Sequence, residues 1–119
     1  MLNDETKIEA VSRYIEAFDK ADLSMIRALY AEDAVVEDPV GSDPYRGMEA
    51  ICEFYESGIS MGAKLKRTGA VRLAGNSAAF PFIVEAAGMK IEVIDVFEFN
   101  DAGKVVSMRA YWGAGNTIA

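Results

Sequence analysis

In segment 89–99, alternate side chains share a face, and Asp95 falls with Met89, Ile91, Val93, Phe97 and Phe99, while Lys90, Glu92 and Glu98 take the other side. The period therefore sets a lone carboxyl group among apolar neighbours. Burying an unpaired carboxylate is costly, so such a group keeps its proton and becomes a strong hydrogen-bond donor at neutral pH. The alternative is an inward charge guarding a strand edge, or a partner for a distant arginine. Asp38 is the second candidate. Alternation puts it on one face with Ala34 and Val36, at a strand end where a pocket mouth could lie, although an aspartate before Pro39 also reads as an ordinary turn residue. Tyr14 flanks an apolar helical stripe between Val11, Ile15 and Phe18. A buried phenol needs a hydrogen-bond partner, either within a site or simply a backbone carbonyl in the core. Two carboxyls and a phenol are groups that can take, hold and donate a proton.

What the chain lacks narrows the chemistry further. It has no histidine and a single cysteine, Cys52. The commonest general base and the commonest transition-metal ligand are therefore missing, and neither an internal disulfide nor a thiolate metal cluster can form. Proton transfer has to use carboxylates, tyrosines or lysines, and no metal or other cofactor is expected. An excess of 19 acidic over 12 basic residues gives a net charge of −7, which disfavours nucleic acid and anionic membrane surfaces as partners. No apolar run is long enough to cross a bilayer, and the N-terminal residues lack the basic and apolar segments of a signal peptide, so a cytoplasmic location is expected.

The elements that must hold these groups can be read from periodicity. Ile8, Val11, Ile15 and Phe18 predict a first helix, capped by Asn3 or Asp4. A short second helix follows Asp22, with Leu23, Ile26 and Leu29 or Tyr30 on its apolar side. A strand over 34–38 stops at Asp38 and Pro39, and a third helix covers 48–57 with Ile51, Phe54, Tyr55 and, at its end, Gly58 near the buried side. The period then changes. Segments 63–74, 77–86, 89–99 and 104–113 read as strands, separated by Gly75 and Asn76, by Gly88, and by the turn Asn100-Asp-Ala-Gly103. Helices followed by a meander give an α+β domain over residues 1–119, with three N-terminal helices on one face of a curved, mainly antiparallel sheet.

The stretches Arg13-Tyr-Ile-Glu-Ala-Phe-Asp19, Tyr30-Ala-Glu-Asp-Ala-Val-Val-Glu-Asp-Pro-Val-Gly-Ser42, Val93-Ile-Asp-Val-Phe97 and Gly103-Lys-Val-Val-Ser-Met-Arg-Ala-Tyr-Trp112 resemble the ketosteroid isomerases in content, order and approximate spacing. The Glu-Asp-Pro-Val-Gly segment is the most family-specific. The resemblance implies a cone-shaped fold enclosing an apolar pocket, shared with nuclear-transport-factor-like proteins. It implies Asp38 as catalytic base, Tyr14 and protonated Asp95 as donors to an oxyanion, and Tyr30 and Tyr55 as tyrosines bonded in series with Tyr14. It further implies a 3-oxo-Δ5-steroid as substrate, isomerised by intramolecular proton transfer, and a homodimer.

An apolar cleft for a fused-ring ligand could be walled by Phe54, by Phe80, Phe82 and Val84, and by Val106, Met108, Ala110 and Trp112, with Trp112 placed against the ligand by the resemblance. Stripes of this kind also arise from core packing alone. Cys52 reads as an inert core residue. Other enzymes resembling this scaffold are scytalone dehydratases and polyketide cyclases, which generally lean on histidine, and limonene-epoxide-hydrolase-like proteins, which use an Asp–Arg–Asp set. Arg109 falls on the face opposite Met108 and Trp112, against that last role. A dimeric carrier of an apolar small molecule is the non-catalytic alternative, but it has no reason to bury Asp95 unpaired.

Overall fold

The computed structural model describes residues 2–118. Helix α1 (Asp4–Asp19) begins where Asn3 accepts a hydrogen bond from the Thr6 N–H at 2.8 Å, satisfying a first-turn donor that has no partner within the helix. Its buried stripe runs through Lys7, Ala10, Val11, Tyr14, Ala17 and Phe18, whereas Ile8 is 38% exposed. The stripe is thus rotated from the one expected, and Tyr14 lies at its centre instead of its flank. Lys7 explains the rotation: its stem packs inward while Nζ donates to the Gly75 carbonyl at 2.9 Å.

Helix α2 (Leu23–Leu29) is capped by Asp22, whose carboxylate accepts from the Ser24 N–H at 2.9 Å. Tyr30 does not extend this helix. It opens strand β1 (Tyr30–Glu37), four residues earlier than the expected start at 34. The early start is irregular: Tyr30 pairs with Val105, yet Val35 pairs with Ser107, and the slack lets Glu32 and Asp33 point to water. Helix α3 (Met48–Ser60) continues one turn beyond the expected end at 57. Gly47 precedes it at φ 85°, where a side chain would be strained, and donates its N–H to the Ala34 carbonyl at 2.9 Å.

Among the described residues the sheet has eight strands: β1, β2 (Tyr45–Arg46), β3 (Lys64–Arg67), β4 (Arg72–Ala74), β5 (Ser77–Ala86), β6 (Met89–Phe99), β7 (Val105–Tyr111) and β8 (Thr117–Ile118). They lie in the order β2-β1-β7-β6-β5-β3, with β4 beside β5 and β8 beside β6. Only β1 and β7 run parallel; the other pairs are antiparallel. The three helices pack on the face that carries the buried residues of β5, β6 and β7, which makes an α+β fold.

Three expectations about the strands are corrected. Segment 63–74 is two strands rather than one: Arg67 pairs with Phe82 and Arg72 with Ala79, so four residues oppose Phe80 and Pro81. Pro81 has no N–H to extend the ladder there, although its carbonyl still accepts from the Thr68 N–H. In β7, Val105 is fully buried and Val106 only partly so, the reverse of simple alternation, because the register shifts between Glu98 and Phe99 at the adjoining turn. Met89 is 53% exposed instead of inward, since it closes the hairpin at Ala86 beyond the end of the core. The segments β2 and β8 and the short 3-10 turn Ala114–Asn116 carry too few residues for any period to reveal them.

Candidate active site

Asp95 sits mid-strand in β6, opposite Phe80 on β5 and Ala110 on β7. Both neighbours are fully buried, and Asp95 itself is 1% exposed. Neither carboxyl oxygen has a hydrogen-bond partner among the described residues. Burial pushes this carboxyl well above the usual carboxylate range, and the charge of Asp38 pushes it the same way. Tyr14 acts on it in the opposite direction, close enough to be felt without forming a hydrogen bond. The protonated form is therefore favoured, leaving an O–H with nothing among the described residues to receive it.

Tyr14 is fixed by aromatic packing. Its ring meets Phe97 edge-on at 5.1 Å, Phe18 at 5.4 Å and Phe80 at 5.9 Å. Its hydroxyl is 3.2 Å from that of Tyr55, which in turn is hydrogen-bonded to Tyr30. The three phenols come from α1, α3 and the start of β1, so the sequence-expected series does form. Burial raises all three well above the ordinary tyrosine value; for Tyr14 the Asp95 charge adds to it, and the bond from Tyr55 partly offsets it.

Asp38 follows the last residue of β1, ahead of a cis bond to Pro39. Contacts with β7 hold it there. Trp112 Nε1 donates to Asp38 Oδ1 at 2.6 Å, and the Val40 N–H donates to the Ala110 carbonyl at 2.8 Å. On the other side of the strand, Arg109 Nε donates to Glu37 Oε1 at 3.0 Å. Burial raises the Asp38 carboxyl, and the indole bond lowers it in part. Asp38 is half-buried where Asp95 is sealed, so the two carboxyls are driven apart: one able to serve as a base, the other kept as an acid.

These groups line one cavity of about 390 Å³. Asp38, Asp95, Tyr14 and Tyr55 stand among its lining residues, while Phe54, Phe82, Val84 and Trp112 form part of its wall as the sequence stripes suggest. Four expected wall residues are elsewhere: Phe80, Met108 and Ala110 are fully buried, Val106 is partly buried, and none of them lines the cavity. Phe80 supports the Tyr14 and Phe97 rings, Met108 pairs with Phe97 and Ala110 with Asp95 across the strands. Tyr30 is one step behind the wall and acts only through Tyr55. Cys52 is buried in the core, and Arg109 is half exposed on the far face, away from the cavity.

The cavity also contains residues that periodicity did not single out. Val93 could have been found, since it lies two residues before Asp95 on the same face, and Phe18 belongs to the helix stripe. Tyr45 gave no signal: it lies in a turn-rich stretch, on a strand of two residues.

Comparison with known proteins bears on family and fold. Residues 11–108 match the model of the SnoaL-like domain. A steroid Delta-isomerase of Nocardioides simplex is 45% identical over 114 residues, which cover 92% of this chain and 91% of that protein. Among solved structures, SalBIII, described as an epoxide hydrolase/cyclase-like enzyme with a role in pyran ring formation in polyether salinomycin, superposes with a TM-score of 0.92 at 28% identity, over 98% of both chains. With its matching family model, its near-half identity to a full-length relative and its α+β architecture, the chain belongs to the steroid Δ-isomerase family within the SnoaL-like group.

Proposed function

We propose that the chain catalyses conversion of 3-oxo-Δ5-steroids to 3-oxo-Δ4-steroids, with Asp38 as base and with Tyr14 and protonated Asp95 as donors to the developing oxyanion. The hydrogen between the ketone and the alkene of such a substrate is weakly acidic, because its loss spreads charge into the carbonyl as a dienolate. Asp38 removes that proton, holds it, and returns it to the far end of the former alkene, giving a conjugated enone. No atom is lost or gained. Asp38 is anchored by Trp112 yet open to the cavity, the placement a base shuttling between two carbons requires.

An aspartate is a weak base for a carbon acid, so much of the acceleration must come from stabilising the dienolate oxygen. One preorganised donor in a dry site contributes about 3–4 kcal/mol, and base catalysis about 10²–10⁴-fold in rate. The observation that carries the reading is Asp95: a fully buried carboxyl in the cavity lining, with no hydrogen-bond partner among the described residues. The ketosteroid isomerases are themselves the standard case of a carboxylic acid held neutral in order to donate, so this role is inherited from the family. A carrier for an apolar molecule would gain nothing from bearing the cost of that burial.

A homodimer belongs to the same proposal. Ile94 and Tyr111 stand opposite each other on the outer sheet face and are 47% and 44% exposed, an apolar pair suited to a second copy. Action as one domain over residues 1–119 in the cytoplasm completes it. The deciding experiment mixes purified protein with 5-androstene-3,17-dione and follows conjugated-enone absorbance, with Asp38→Asn alongside. Rapid growth of the signal in the wild type and near-loss in the variant support the isomerase and its base. A wild-type rate equal to buffer overturns it.

A further inference from the structure

We infer that Tyr45, stacked on Phe54, is a gating residue that keeps bulk water from Asp38 while that carboxyl carries the substrate's proton; the inference rests on the isomerase reading above. Tyr45 lies on β2, opposite Val36 of β1. Cross-strand partners share a face, and so do residues two apart, which brings Tyr45 to the same side as Asp38 and one pleat away from it. Both residues line the cavity. The ring of Tyr45 stacks on that of Phe54 from α3, with centroids 4.4 Å apart and planes inclined by 25°. Strand β2 and helix α3 are thus bridged by two stacked aromatic rings in the lining of the cavity that holds the base.

The position is held firmly for so short a strand. The Gly47 N–H bonds the Ala34 carbonyl at 2.9 Å just after β2, and Val35 pairs with Arg46. The Tyr45 hydroxyl makes no hydrogen bond among the described residues, so its position owes nothing to a polar partner. What it offers the site is the ring. Other parts of the cavity lining carry polar groups of their own: Trp112 just after β7, Asp95 from β6, Tyr14 from α1 and Tyr55 from α3. The Tyr45–Phe54 stack is the apolar closure on the β2 side.

The chemistry requires such a closure. Between abstraction and return, Asp38 is a neutral acid holding one proton taken from carbon. If water reaches it, that proton exchanges with solvent and a solvent proton is delivered instead. If water is held off, the same proton crosses to the product carbon. Isotope content per molecule of product does not depend on how fast product forms, so it separates gating from general structural damage.

The test is turnover of unlabelled 5-androstene-3,17-dione in deuterated buffer, with the product's deuterium content at the protonated carbon read by mass spectrometry and proton NMR. Wild type and Tyr45→Phe should give product carrying little deuterium. Tyr45→Ala and Tyr45→Ser should raise the deuterium fraction per molecule of product severalfold, whatever their turnover rate. Unchanged deuterium in both truncations, or full exchange already in the wild type, overturns the inference. The second readout needs no turnover: titration of the Asp38 carboxyl by carbon-13 NMR in the ligand-free protein. Admitting water relieves the burial of Asp38, so its pKa should fall in Tyr45→Ala and hold in Tyr45→Phe, with Asp95, Tyr14, Tyr55 and the Glu37–Arg109 pair unaltered. No fall overturns the inference even if the wild type proves inactive on steroids, an outcome that by itself would defeat only the isomerase reading.

Discussion

Trp112 and Asp38, 74 residues apart in sequence, meet through a 2.6 Å hydrogen bond from indole to carboxylate in the cavity lining. The bond favours the charged carboxylate and so lowers a pKa that burial raises. Trp112→Phe removes the donor and keeps an apolar ring. The acidic limb of the kcat/KM profile should move to higher pH, because Asp38 then ionises later. A hydrogen bond to a charged group is worth about 1.5–3 kcal/mol, so roughly a tenfold or larger loss is expected in mildly acidic buffer, shrinking as pH rises.

Replacing the base itself should be more severe. Asp38→Asn should lower kcat by about 10²–10⁴-fold, the usual contribution of a positioned base. It also removes the charge that pushes Asp95 upward. The Asp95 carboxyl should therefore titrate lower in the variant than in the wild type, a shift that carbon-13 NMR can follow.

Asp95 ties activity and stability together in opposite directions. Asp95→Leu should cost about 10²–10³-fold in kcat, as expected for a lost oxyanion donor, while Asp95→Asn, which still donates, should cost less. The folded-state pKa of Asp95 is raised, so the folded protein holds a proton that the unfolded chain releases. That makes its contribution fully present below the unfolded aspartate pKa and progressively lost as pH rises toward the folded value. Chemical denaturation at pH 4 and pH 7 should show wild type losing more stability across this window than Asp95→Leu.

Tyr55 contacts both other phenols, so Tyr55→Phe breaks two hydrogen bonds at once. Tyr14 loses a bond that lowers its pKa. It should become a poorer donor, with a fall in kcat of about tenfold, comparable to one buried hydrogen bond. Tyr30→Phe breaks only the outer bond and should have a smaller effect, and Tyr14→Phe a larger one.

The outer sheet face offers a separate test. Ile94→Glu and Tyr111→Glu place a charge on the exposed apolar pair without touching the cavity. Sedimentation equilibrium should show the wild type as a dimer and either variant shifted toward monomer.

Much of this protein was legible in the linear chain. Period-two alternation in 89–99 already set Asp95 among apolar residues, because a strand has only two faces and Lys90, Glu92 and Glu98 all fall on the other one. The absence of histidine restricted proton transfer to carboxyls and phenols, and the period change near residue 63 separated helices from sheet. What needed the tertiary structure was everything set by contact across distant elements. Phe80 and Phe82 are on the same face of one strand, yet only Phe82 reaches the cavity, because Tyr14 and Phe97 cover Phe80. Lys7 replaced Ile8 in the buried stripe because a carbonyl 68 residues away receives its ammonium group. Tyr45 has no periodic neighbours to announce it, and its place beside the base exists only once β2 pairs with β1 and its ring meets α3. Alternation along a strand records which side a residue faces; what it meets there depends on the elements that fold over it.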